Sequence, residues 1–146
     1  MARSLPLEAI TEASFAPFGT VVDWSAELEA SGRPFHILVR SEEPTGWRLA
    51  VARWTMRAAR RIEYHPDSEE LYAPLSGTTV LVVADPGEAP EGRLRAFLLD
   101  RPVCLRRGVW HATLTLSEAA VRLIAENLEV AGVGVDLSEP VTASLG

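Results

Sequence analysis

The sequence predicts an all-β domain, an antiparallel sandwich or barrel preceded by one short helix. Three observations carry this. About ten short segments rich in branched and aromatic residues run through the chain. Clusters of Gly, Pro and Asp separate them, as in Asp85-Pro86-Gly87-Glu88. Polar and apolar residues alternate with period two in His111-Ala112-Thr113-Leu114-Thr115-Leu116.

Thr11 caps a short helix over 11–16, which Pro17 and Gly19 stop. Everything after it reads as strand. The segments 20–24, 35–40 and 48–56 each mix branched, aromatic and polar residues between turn signals, and 62–65 and 71–75 flank the Pro66-Asp67-Ser68 bend. Residues 78–84 form an apolar run of strand length, and 94–98 and 103–105 follow as short apolar pieces broken by Asp100 and Pro102. The remaining strands are 110–116, 121–126 and 132–137. With no repeat and no low-complexity linker, residues 1–146 read as a single domain.

Composition removes several function classes. A formal net charge of -6, with the arginines scattered among acidic residues, offers no stripe for a nucleic-acid backbone. No apolar run approaches the roughly 18 residues of a membrane span, and the N-terminal segment lacks the features of a signal peptide, so a cytoplasmic protein without membrane attachment is expected. Cys104 is the single cysteine, set between Val103 and Leu105, and reads as a buried thiol. All 14 basic residues are arginine, which leaves planar donors suited to a small anionic substrate and no lysine for Schiff-base chemistry.

Alternation also assigns faces. His111, Thr113 and Thr115 share one side of their strand, whereas Trp110, Ala112 and Leu114 share the other, so Trp110 is expected to pack and His111 to face a pocket. Glu63 and His65 share a face, as do Glu70 and Tyr72 further on. Arg53, Thr55 and Arg57 form one such row and Arg61, Glu63 and His65 another. Asp67 and Glu69 read as solvated turn residues, His36 as a strand histidine, and Ser68 as either a turn cap or a substrate contact.

The spacing of His65, Glu70, Gly77 and, later, Gly108 and His111 resembles the two motifs of cupins, the small jelly-roll barrel family. Cupins place two histidines, a glutamate and a glycine in the first motif, and a glycine followed by a histidine in the second. In this chain Glu63 takes the first histidine's place, Arg106 stands where a proline is usual, and Thr115 stands where an asparagine is usual. The resemblance implies a cupin-type jelly-roll β-barrel and a metal-ligand set of Glu63, His65, Glu70 and His111. Two imidazoles and two carboxylates suit a divalent ion such as Ni, Mn, Fe or Zn, with no organic cofactor.

A closer resemblance covers residues from about 5 to 127. Phe15-Ala16-Pro17-Phe18-Gly19, Phe35-His36, Glu63-Tyr64-His65-Pro66, Pro74-Leu75 with Gly77, Leu94-Arg95-Ala96-Phe97-Leu98 and Gly108-Val109-Trp110-His111 occur in order. They resemble the ureidoglycolate lyase (ureidoglycolate hydrolase) family. This chain departs from the family at Glu70, usually Gln, at Ala112-Thr113, usually His-Pro, and near Glu126-Asn127-Leu128-Glu129. The resemblance implies cleavage of ureidoglycolate to glyoxylate and urea in allantoin (purine) catabolism, and a homodimer. A metal-dependent cupin acting on another small hydroxy or keto acid, and a non-catalytic cupin binding a small ligand, are the alternatives.

The implied reaction needs a base near a hydroxyl, a proton donor for a leaving nitrogen and a cation for a carboxylate. His65, Glu70, His111 and Glu63 are the catalytic candidates, with Glu63 or Glu70 carrying the proton if burial raises its pKa. Tyr72, Arg53, Arg61 and Ser68 are the substrate-binding candidates, and the sequence does not choose among the arginines.

Overall fold

The structure, a computed structural model, describes every residue except Pro44 and Gly146. Its strands are β1 (Arg3–Ala9), β2 (Gly19–Val21), β3 (Trp47–Trp54), β4 (Ala59–Tyr64), β5 (Glu70–Ser76), β6 (Thr79–Ala84), β7 (Arg95–Leu99), β8 (Val103–Leu105), β9 (Trp110–Thr115), β10 (Ala120–Asn127) and β11 (Val133–Ser144). Two short helices, α1 (Glu12–Phe15) and α2 (Ala26–Ala30), lie near the N-terminus. Six strands close a barrel in the order β1-β11-β4-β9-β6-β7, and a second sheet runs β2-β8-β5-β10-β3. The expected all-β, cupin-type barrel is therefore present.

Strand β6 shows why two layers form. All six of its residues are buried, because both of its faces are covered. Val80, Val82 and Ala84 join Ile62, Trp110 and Leu114 in one core. The intervening Leu81 and Val83 join Phe97, Tyr72, Val103 and Leu105 in the other, which lies between the barrel and the second sheet. At about 25 cal/mol per Å² of apolar surface removed from water, such two-sided burial is the main stabilising term.

The helix α1 is set by a reciprocal cap: the Ser14 amide donates to Thr11 Oγ1 and the Thr11 amide donates to Ser14 Oγ, both at 2.9 Å. It drops Phe15 into edge-to-face contact with Phe18 and Phe97, at ring separations of 5.8 and 5.3 Å.

Four elements differ from the sequence reading. β1 was not expected, since Pro6 interrupts it; here residues 3–6 pair with β11 and residues 7–9 pair with β7, so the proline sits where the strand changes partner. The helix α2 was not expected either, and it forms because the Leu28 amide donates to the Ser25 hydroxyl ahead of an Ala-Glu-Leu-Glu-Ala run of good helix formers. The segment 35–40 is not a strand: it runs exposed over the second sheet, with Phe35 at 76% and Ile37 at 63% exposure. Finally, β11 runs past the expected 137 to Ser144, carrying Pro140 through a register shift between Asp136 and Val141.

Candidate functional site

The second core layer turns polar at one end. There β9 delivers His111, β5 delivers Glu70 and Tyr72, and the chain just beyond β4 delivers His65. Glu63 of β4 pairs directly with His111 of β9, and the amide of Gly108 donates to the carbonyl of His65 at 2.9 Å, which ties the two motifs together. Gly108 makes this turn at φ +80°, in the left-handed region that favours glycine.

The four expected ligands converge. Glu70 Oε2 lies 3.1 Å from His65 Nε2 and 2.9 Å from His111 Nε2, and Glu63 Oε1 lies 3.9 and 4.0 Å from the same two nitrogens. Each imidazole presents its other nitrogen, Nδ1, to a backbone carbonyl at 3.0 Å, that of Ala131 for His65 and that of Val109 for His111. A carbonyl only accepts, so Nδ1 carries the hydrogen in both rings and Nε2 is left to face Glu70.

Burial pushes the Glu70 carboxyl up, but the imidazoles of His111 and His65 outweigh it and hold the group well below the usual carboxylate range. This reverses the expectation that burial raises Glu70 toward neutrality: it stays an anion. The same carboxylate, against the cost of burial, lifts His65 to about 9. Burial and the charge of Glu70 keep the Tyr72 phenol protonated, well above its ordinary value.

The donor set fits a divalent cation. Glu70 Oε2 and His111 Nε2 are buried and have no aligned hydrogen-bond partner among the described residues, despite their short separation. A metal ion is the ordinary partner for imidazole nitrogens whose other ring N–H is anchored on a carbonyl. Ligand atoms of Glu63, His65 and His111 lie within 4.8 Å of one another, as do those of His65, Glu70 and Glu126.

The other expected residues fall in different places. Tyr72 is buried with its ring 6.0 Å from His111, on a cavity of about 410 Å³ that Glu63, His111 and Arg61 also line. Arg61 is exposed and pairs with Asp136 at 3.2 Å. Arg53 does not reach this cavity, because strand alternation turns it to the face of β3 opposite Trp54. Ser68 is buried rather than part of an exposed bend: its hydroxyl accepts from the Asn127 amide at 3.0 Å and donates to the Glu69 carbonyl at 2.7 Å. His36 stands in the exposed 35–40 segment, edge-on to Trp24. Cys104 is the buried thiol expected, pushed up to about 12 by burial and then by Glu69.

Two functional candidates escaped the sequence reading. Glu126 of β10 reaches the site and accepts from Arg48 at 2.6 Å, and Arg122, two turns of the pleat earlier, points into the cavity at 4% exposure. The signal was a pair of charges, Arg122 and Glu126, on the strand face they share with the apolar Ile124.

The ureidoglycolate lyase family model matches residues 2–144. The chain belongs to the ureidoglycolate lyase family. A ureidoglycolate lyase of Azotobacter vinelandii is 36% identical over 126 residues, covering 75% of each chain. One of Stutzerimonas stutzeri is 34% identical over 125 residues, covering 75% of this chain and 74% of that protein. Among solved structures, RmlC from Streptococcus suis in complex with dTDP-D-xylose aligns with a TM-score of 0.49 and 16% identity, over 84% of this chain and 56% of that one. No helix among the described residues is long and apolar enough to cross a membrane.

Proposed function

We propose that this member of the family cleaves ureidoglycolate to glyoxylate and urea. The observation that carries the reading is the convergence of His65 Nε2 and His111 Nε2 on one ionised oxygen of Glu70, with His111 itself on the wall of a cavity of small-ligand size.

In this reaction the substrate hydroxyl loses its proton, its oxygen becomes the aldehyde oxygen of glyoxylate, the C–N bond breaks, and the departing nitrogen takes a proton to give urea. His65, Glu70 and His111, with Glu63, would hold a divalent cation such as Ni, Mn, Fe or Zn, whose Lewis acidity lowers the pKa of the hydroxyl. Glu70 is anionic at neutral pH and so orients the two rings rather than donating a proton. Glu63 is the group free to move one: its side chain is about half exposed (49%) at the cavity wall, within 4.0 Å of both Nε2 atoms. Tyr72, protonated and buried, offers a hydroxyl donor on the same wall.

The reading is tested by incubating purified protein with ureidoglycolate and measuring glyoxylate and urea. Equimolar release, lost in His111→Ala, is expected. Intact, metal-loaded protein that releases neither overturns it.

A further inference from the structure

Arg122 is a charged side chain in an unusual position. It is 4% exposed, and its Nε and Nη1 atoms are shut off from solvent with no hydrogen-bond partner among the described residues. The rings of Trp54 and Tyr72 hold the guanidinium carbon at 5.4 and 5.7 Å from their centroids, so ring faces rather than acceptors surround it. An uncompensated buried charge costs several kcal/mol and persists where something else depends on it.

The local backbone aims it. Arg122 pairs with Pro74 of β5, which has no N–H to give the ladder, and the register slips between Val121 and Arg122. Such an irregularity bends the strand and redirects the side chain beside it, a device common next to active sites. The result is a guanidinium on the wall of the cavity that His111 and Glu63 also line. Glu70, the carboxylate whose charge acts on Arg122, is already engaged by the two imidazoles.

We propose that Arg122 is the residue that binds the carboxylate of the ligand, and that the cavity therefore selects small α-substituted carboxylates such as 2-oxo and 2-hydroxy acids. A guanidinium offers a rigid planar set of donors matched to a carboxylate, and between two rings it pays little further ordering entropy on binding. Trp54 and Tyr72 keep water from the pair. The name of the substrate rests on the function proposed above; the anion site does not.

The test is glyoxylate binding by calorimetry to the full chain, with wild type, Arg122→Leu and Arg122→Lys. Replacing the buried charge by an apolar side chain leaves the fold at least as stable, and the glyoxylate affinity falls about a hundredfold or more. Glyoxylamide, which lacks the charge, binds both proteins equally weakly. Arg122→Lys, which keeps the charge and loses the fork, falls between them, and it carries the test should Arg122→Leu fail to fold. In turnover, KM for ureidoglycolate rises far more than kcat falls. A folded variant that binds glyoxylate within threefold of wild type overturns the assignment. If wild type binds glyoxylate through Arg122 yet releases none from ureidoglycolate, the proposed activity falls and the anion site stands.

Discussion

His111 Nε2 lies 2.9 Å from Glu70 Oε2 inside the protein, yet the two atoms are not aligned as donor and acceptor. Close approach without alignment is unfavourable for two lone pairs unless a cation or a shared proton sits among them. The first prediction follows directly. Purified protein contains about one equivalent of a divalent transition metal, and His111→Ala lowers its affinity for that metal by at least about a hundredfold while the far-ultraviolet circular dichroism spectrum is unchanged. Metal analysis and the rise in Tm on adding the ion measure it. A wild-type Tm indifferent to every divalent ion tried would sink the metal reading.

The metal-free chain has its own signature with pH. His65 titrates at about 9 in the folded protein against 6.5 as its ordinary value, because Glu70 favours the imidazolium. A raised pKa means the stabilisation is complete below about pH 6.5 and is lost as pH rises through about 9. Glu70 contributes in the opposite sense, with stability present above the ordinary carboxylate range and lost on acidification. In the presence of a chelator, the urea midpoint of wild type should therefore fall between pH 6.5 and 9 relative to that of His65→Gln. Parallel curves for the two proteins would contradict the pairing.

The strand pattern made most of the barrel legible, because burial on one or both faces writes period two or an apolar run into the sequence, as in β6 and β9. What local pattern cannot carry is partnership across the chain. β1 exists because residues 141–144 and 96–98 are there to hydrogen-bond it, and 35–40 is no strand because no segment among the described residues pairs with it. The site divides in the same way. Glu63, His65, Glu70 and His111 were legible through the resemblance of their spacing to the cupin motifs, and the structure brings both carboxylates within 4.0 Å of both imidazoles. Arg122 was not, since only the packing of β10 on β3 and β5 shows that this arginine lines the cavity and Arg53 does not.

Gly77 follows β5 and carries a backbone constraint that Gly32 lacks. Both have left-handed φ values, +70° and +71°, but a Cβ on Gly77 would stand 2.2 Å from the Ala119 carbonyl oxygen, whereas one on Gly32 would meet nothing among the described residues within 4 Å. Gly32→Ala should therefore cost only the strain of the conformation, about 1 kcal/mol. Gly77→Ala should cost clearly more, since the β5–β6 turn must shift against β10. Urea denaturation of the two variants side by side decides it; equal losses would mean that the turn relaxes freely.

The outer face of the second sheet bears on assembly. Strand β3 is an edge of that sheet and carries Trp47, Leu49 and Val51 at 69%, 56% and 68% exposure, in register with Asn127, Ala125 and Leu123 of β10. A row of large apolar groups on an unpaired edge is an association surface in most soluble proteins, and a two-fold pairing of like faces is the commonest way to cover it. A homodimer through this face is the expected state. Val51→Glu places a charge in the middle of the row without touching the cavity side of β3, so it should convert the dimer to monomer while leaving the fold intact. Sedimentation velocity of wild type and variant over a range of concentrations measures this. A wild-type monomer at all concentrations, or a dimer that the glutamate does not disturb, would remove this face as the interface.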